Sequence, residues 1–259
     1  DGTAVTCGRV GRCQILNQPG SFSTTGLFCA LDPGIFVFLD MGERVVEWEL
    51  QGERLLLLPE KAIFWAEQQI LIVSDLHIGK VGHFRKAGIA IPKLLEQEEL
   101  SVLSDLIEQY QPRRIIFLGD LFHSEHNDDW NWLVLWCELF PGVEMILVKG
   151  NHDILHRDYY TNAGFKVHDE LVMGPFKFTH EPRAEDCQGE FYCISGHIHP
   201  AVKLRGAGRQ STVLSCFYFK KNQAILPAFA RFTGKYCLQA AESVDIFGVL
   251  GSKVLHLNA

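Results

Sequence analysis

The chain has no run of about 18 apolar residues of the kind that crosses a bilayer. Leu55 to Leu58 stops at Pro59, and the stretch from Leu27 to Leu39 contains Asp32 and Pro33. No membrane association is expected. Its N-terminus also lacks a basic segment leading into an uninterrupted apolar stretch, so no secretory signal is read there and a cytoplasmic protein is expected. Paired C-x-x-C spacings are missing among the eight cysteines, which argues against thiolate zinc and redox motifs and leaves reduced, mostly buried thiols. Nor is there an excess of positive charge. A net charge of -7 argues against a protein coated in basic surface, while leaving room for a local basic patch or a cationic metal centre.

What is present is enough apolar material for one sizeable core: 259 residues, 47% of them hydrophobic. Residues 1–40 read differently from the rest, with recurrent Gly, Ser, Thr and Cys and little helical or strand period. That extension is open to two origins, a non-native or upstream reading-frame product and an ordinary N-terminal arm, and the domain proper is read as 41–259. From Arg44 the text becomes regular. Val45 to Leu50 and Arg54 to Leu58 read as strands around a turn at Gln51-Gly52-Glu53. Gln69 to Ser74 is a short apolar strand ending in Asp75, and Pro92 is read as opening a helix whose apolar residues recur through Tyr110. Arg114 to Leu118 and Glu144 to Val148 are read as further strands, separated by a helix over Trp130 to Phe140. Alternation of this kind predicts right-handed crossovers with successive strand ends on one edge of a sheet. Shorter strands are expected at Phe176 to Thr179, Phe191 to Ser195, Thr212 to Phe219 and Gln223 to Leu226.

Five polar clusters sit where these strands end: Asp75-Leu76-His77, Gly119-Asp120, Gly150-Asn151-His152-Asp153, Thr179-His180 and Gly196-His197-Ile198-His199. A single histidine at a strand end is most often a satisfied core or surface group. Five clusters of carboxylate, imidazole and amide oxygen together suit manganese, iron or zinc, and the lack of thiolates argues against a structural zinc site.

The order D-x-H, G-D, G-N-H-D, H, G-H-x-H from Asp75 to His199 resembles that of the calcineurin-like metallophosphoesterases. The resemblance implies an α/β fold, a sandwich of two mixed β-sheets flanked by helices. It implies two divalent metal ions, manganese first and iron or zinc as the other candidates. One is held by Asp75, His77, Asp120 and His199, the second by Asp120, Asn151, His180 and His197, with Asp120 bridging. His152 is then a non-ligand, placed to stabilise the phosphoryl transition state or to protonate the leaving oxygen. Two such ions about 4 Å apart can share a hydroxide that is nucleophilic near neutral pH and clamp a phosphate for in-line displacement.

Protein phosphatases of this superfamily carry G-D-x-V-D-R-G, whereas this chain reads Gly119-Asp120-Leu121-Phe122-His123-Ser124, so a phosphoprotein substrate is disfavoured. The lipid A pathway hydrolases have Arg where His152 stands. The G-D-L-F-H form resembles the SbcD-type repair nucleases, in which the histidine matching His123 belongs to the active site; an ordinary loop histidine is the alternative. Beyond the metal motifs, four groups resemble the PdeM family, the ligase-associated DNA damage response phosphodiesterases or endonucleases. They are Gly52 to Glu60, Ser74 to Lys80, Phe84 to Gly88, and Leu226-Pro227-Ala228-Phe229 with Phe232-Thr233-Gly234. That resemblance implies a manganese-type dinuclear centre, a phosphodiester substrate expected to be DNA, and a functional association with a DNA ligase and a helicase. Lys80, Arg85 and Lys86 follow the first metal motif and are candidate contacts to a phosphate backbone, with a solvated basic loop as the alternative. A small-molecule or nucleotide phosphoesterase and a non-catalytic scaffold are the rival functions.

Overall fold

Apolar residues on both faces of short strands dictate a layer with a partner on either side. The computed structural model describes residues 26–31, 35–40, 44–80, 94–123, 126–182, 190–206, 210–231, 233–239 and 243–257. Its strands begin with β1 Gly26–Leu31, β2 Ile35–Asp40, β3 Val46–Leu50, β4 Glu53–Leu57, β5 Ile63–Trp65 and β6 Ile70–Val73. Helix α1, Leu94–Tyr110, leads to β7 Arg114–Leu118; α2, Asp128–Glu138, to β8 Glu144–Val148; and α3, Arg157–Asn162, to β9 Lys166–His168. Then come β10 Leu171–Met173, β11 Phe176–Phe178, β12 Tyr192–Ser195, β13 Pro200–Arg205, β14 Ser211–Phe219 and β15 Gln223–Ile225. The last are β16 Tyr236–Cys237, β17 Asp245–Leu250 and β18 Lys253–His256.

Seven strands form one sheet in the order β3-β4-β5-β6-β7-β8-β9, antiparallel up to β6 and parallel from β6 onward. The second sheet runs β10-β11-β12-β15-β14-β13-β1-β2, with β16 beside β13 and β17 and β18 extending from β14. It is mixed, with β11, β12 and β15 parallel to one another. The pair β1 and β2 falls within residues 1–40 and adds to β13 through Ala30 and Leu31.

Side-chain alternation sorts the core into layers. Ile72, Ile116, Leu118, Ile146 and Val148 point between the sheets and meet Phe176, Phe178, Ile194, Phe217 and Phe247. Their neighbours Leu71, Val73, Ile115, Phe117 and Leu147 point the other way, under Leu103, Leu106 and Ile107 of α1 and Trp130, Leu133 and Trp136 of α2. The helices share one face because β6 to β9 are laid down in sequential order, and crossovers of one hand then fall on one side. The architecture is the two-sheet α/β sandwich read from the sequence, and among the described residues the helices flank the first sheet. No described helix is long and apolar enough to cross a membrane.

Local differences from the sequence reading have local causes. The β3–β4 loop is two residues, Gln51 and Gly52, both at positive φ, so Glu53 pairs with Leu50 inside the ladder. Helix α2 starts two residues before Trp130 because the Asn127 side chain accepts the N–H groups of Asp129 and Trp130. Pro92 lies outside the described residues. Cys137 and Cys216 are buried free thiols, Cys193 is buried, and Cys237 is exposed.

Candidate metal centre

The parallel strands of both sheets end on one edge, and each ending delivers polar side chains there. Asp75 follows β6, Asp120 follows β7, Asn151 follows β8, His180 follows β11 and His197 follows β12. Five of the seven expected ligands have left-handed backbone: Asp75 (φ 55°), His77 (50°), Asp120 (48°), His197 (68°) and His199 (54°). Such a conformation costs a non-glycine residue about 1–3 kcal/mol, and it turns each side chain sharply off its strand into the shared edge.

The turns are fixed by bonds between motifs. Asp75 N–H donates to the Gly119 carbonyl at 3.3 Å, and His77 N–H to the Asp120 carbonyl at 2.8 Å. The N–H of His152 donates to Oδ1 of Asp120 at 2.9 Å, and that of His197 to Oδ2 of Asp75 at 3.0 Å. Asp153, fully buried, accepts the N–H groups of Gly150 (2.8 Å) and Phe122 (3.1 Å), tying the third motif to the second. Contact is so close that Gly119, Gly150 and Gly196 admit no side chain. A Cβ on Gly119 would lie 2.2 Å from Nδ1 of His180, and one on Gly196 would lie 1.7 Å from Oγ of Ser74 and 2.6 Å from Oδ2 of Asp75.

Two donor sets result, each with its ligand atoms within 4.8 Å of one another: Asp75, His77 and His199, and Asp120, His180 and His197. In the first, Nε2 of His199 lies 3.4 Å from Nε2 of His77 and 3.4 Å from Oδ1 of Asp75. In the second, Nε2 of His180 lies 3.4 Å from Oδ1 of Asp120, 3.1 Å from Nδ1 of His197 and 3.0 Å from Oδ1 of Asn151. Asp120 stands between the sets, its Oδ2 being 3.8 Å from Nε2 of His77.

Burial and charge set the protonation of these groups. Burial drives the His77 imidazole down to about 3, so its ring is neutral and has a nitrogen lone pair to offer. Burial opposes charge on His180 too, but its hydrogen bond to Asp120, that carboxylate's charge and the Leu118 carbonyl outweigh it and raise the ring to about 9. Asp120 is the mirror image: burial raises its carboxyl, and the bond from His180, the charge on that ring and the His152 N–H bring it well below the carboxylate range. His180 and Asp120 thus form a buried ion pair, and a cation bound there would take the proton's place. The donor set of neutral imidazole, carboxylate and amide oxygen fits divalent manganese, iron or zinc.

Beside the sets, the His123 ring lies tilted against that of His152, with centroids 4.3 Å apart and planes 34° apart, and Nδ1 of His123 is 3.1 Å from Nδ1 of His77. Lys80 is half-buried, and burial lowers its ammonium against the charges of Asp120, Asp75 and Glu99, which locates it in the field of the site. Arg85 and Lys86 lie outside the described residues. Two further groups were not singled out in the sequence: Lys61 and Glu99 bind the segment after Ala228 that holds Asp75. Glu99 had a sequence signal, a carboxylate at helical spacing among Leu95, Val102, Leu103 and Leu106.

The family model described as calcineurin-like phosphoesterase matches residues 69–225. Among solved structures, the Pseudomonas putida nuclease MPE superposes with a TM-score of 0.67 at 26% sequence identity, over 82% of this chain and 100% of that one. The E. coli phosphoesterase Yfce matches over 70% of this chain and 88% of its own, at 12% identity and a TM-score of 0.35. A protein of unknown function from Aquifex aeolicus matches over 72% and 94%, at 17% identity and a TM-score of 0.39. No curated protein matches the chain.

Proposed function

The chain belongs to the calcineurin-like phosphoesterase family, and we propose that it is a dinuclear metal-dependent phosphodiesterase acting on DNA. One observation carries this: two sets of nitrogen and oxygen donors lie side by side, with the Asp120 carboxylate between them. Asp75, His77, Asp120 and His199 hold one cation; Asp120, Asn151, His180 and His197 hold the other. Divalent ions in such a pair supply a nucleophile at neutral pH and draw charge from the phosphoryl group. Manganese is the cation we assign, iron and zinc being the other candidates.

The chain's own residues do the rest. His152, whose ring belongs to neither donor set while its N–H anchors Asp120, protonates the leaving oxygen. His123 lies tilted against that ring and limits its rotation. Lys80 places positive charge beside the donors, where it neutralises a phosphate adjacent to the scissile one. Likeness to a nuclease at 26% identity supports a nucleic acid as substrate. The PdeM resemblance adds damage repair, with functional association to a DNA ligase and a helicase.

The test is incubation of manganese-loaded protein with plasmid, end-labelled oligonucleotide and a phosphomonoester in parallel, each with a chelator control. Metal-dependent cleavage of DNA is expected. Turnover of the monoester alone would make it a small-molecule phosphoesterase, and no turnover on any substrate would favour a scaffold.

A further inference from the structure

The chain after β15 passes one donor set and is itself held from behind by two charged side chains. Phe229 N–H donates to the Ser74 carbonyl at 2.7 Å and Ala230 N–H to the Asp75 carbonyl at 3.2 Å. Further on, the Gly234 carbonyl lies 3.1 Å from Nδ1 of His199, and Tyr236 N–H donates to the His199 carbonyl at 3.1 Å. Two of the three members of the Asp75, His77, His199 set are therefore gripped by one segment.

Its other polar groups go to distant elements. Nζ of Lys61, in the turn from β4 to β5, donates to the Phe229 carbonyl at 2.5 Å and to the Ala230 carbonyl at 2.9 Å. Oε1 of Glu99, buried in α1, accepts the Arg231 N–H at 2.8 Å, while Glu98 pairs with the Arg231 guanidinium at 2.8 Å. Three successive residues thus each have a main-chain group bound by a buried or half-buried charge, and bonds of that kind are roughly twice as strong as neutral ones. An ammonium and a carboxylate are costly to bury, and here main-chain bonds offset that cost. What the charges add is a fixed direction for the N–H groups that meet β6.

We propose that Lys61 and Glu99 are positioning residues for the cation held by Asp75, His77 and His199. Lys61 and Glu99 fix the Phe229 to Arg231 turn, the turn fixes the carbonyls of Ser74 and Asp75, and Asp75 keeps its left-handed backbone and its aim. The proposal rests on the dinuclear assignment above. Partners that orient a ligand in this way are worth about 10–100-fold in metal affinity.

Lys61→Met keeps about the stem length and removes the donor, and Lys61 lines a cleft of about 530 Å³. Manganese titration read by electron paramagnetic resonance separates the two cations, since a close pair gives an exchange-coupled spectrum and an isolated ion gives six lines. The native chain is expected to bind two coupled ions. Lys61→Met should keep one at native affinity, lose the other by about 10-fold or more and show the six-line spectrum, and Lys61→Arg should restore coupling. Two tight, coupled ions in a folded Lys61→Met chain would overturn the proposal while leaving the dinuclear assignment intact. A single ion in the native chain would overturn both. Should Lys61→Met not fold, Lys61→Gln, neutral and still a donor, takes its place; failure of both to fold would overturn the proposal in favour of a packing role.

Discussion

Nδ1 of His77 lies 3.1 Å from Nδ1 of His123, so one hydrogen lies between the two rings and the tautomer of one sets that of the other. Nε2 of His77 faces His199 and Asp120. For that nitrogen to bind a cation, Nδ1 carries the hydrogen and His123 accepts it. His123→Ala removes the acceptor, and metal affinity and turnover should both fall by about 10-fold or more. Metal content and turnover at saturating manganese check this; a variant normal in both would leave His123 an ordinary loop residue.

Asp120→Asn exchanges a carboxylate that lies between the donor sets for an amide of the same shape. Charge is lost from both sets at once, and the partner of the raised His180 ring goes with it. Activity should disappear and bound metal should drop, as measured by elemental analysis after desalting. Near-normal turnover with both metals absent would rule out the two-metal assignment.

His152→Ala leaves every donor of both sets in place and keeps the main-chain bond to Asp120. Two metals should still bind while turnover falls by roughly 100-fold or more, the loss expected for a general acid. Loss of metal in this variant would make His152 a ligand.

Gly196→Ala drives a methyl group into Ser74 and Asp75, the second of which accepts the His197 N–H. The neighbouring motif has to give way, which should lower stability by about 1–3 kcal/mol and weaken the Asp75 set. Urea unfolding with manganese titration is the measurement. An alanine tolerated in both would mean that the two motifs are not in contact in solution.

Arg85 and Lys86, which follow the first motif, are proposed to touch phosphates that a small diester lacks. Reversing both to Glu should weaken DNA cleavage and lower the salt slope by about one per lost contact, with little change on a chromogenic diester. Equal losses on both substrates would point to damage at the metal site, and no loss on either would make the cluster a solvated loop.

The strands that build the site were legible because they are buried on both faces. Gln69 to Ser74, Arg114 to Leu118 and Glu144 to Val148 read as apolar runs that stop at a polar cluster, and each observed strand ends within a residue of the expected place. Pro200–Arg205 and Lys166–His168 are harder to read, because the first opens on a proline and mixes Lys and Arg into its apolar residues, and the second is three residues long with one buried side chain. The donors were legible by type and order. What no local pattern conveys is the left-handed backbone at five of them, since Asp and His tolerate it better than most residues yet are more often found outside it. Lys61 and Glu99 escaped for a similar reason: their partners are main-chain groups more than a hundred residues away.

That left-handed backbone also separates keeping the shape from keeping the chemistry. At Asp75, His77, Asp120, His197 and His199 a glycine would sit more easily than the native residue, because it has no Cβ to strain. Drift to glycine at His77, His197 or His199 relieves backbone strain while it discards a donor. At Asp75 and Asp120 the same side chains also accept the His197 and His152 N–H groups, so there the chemistry and the shape are held by one residue.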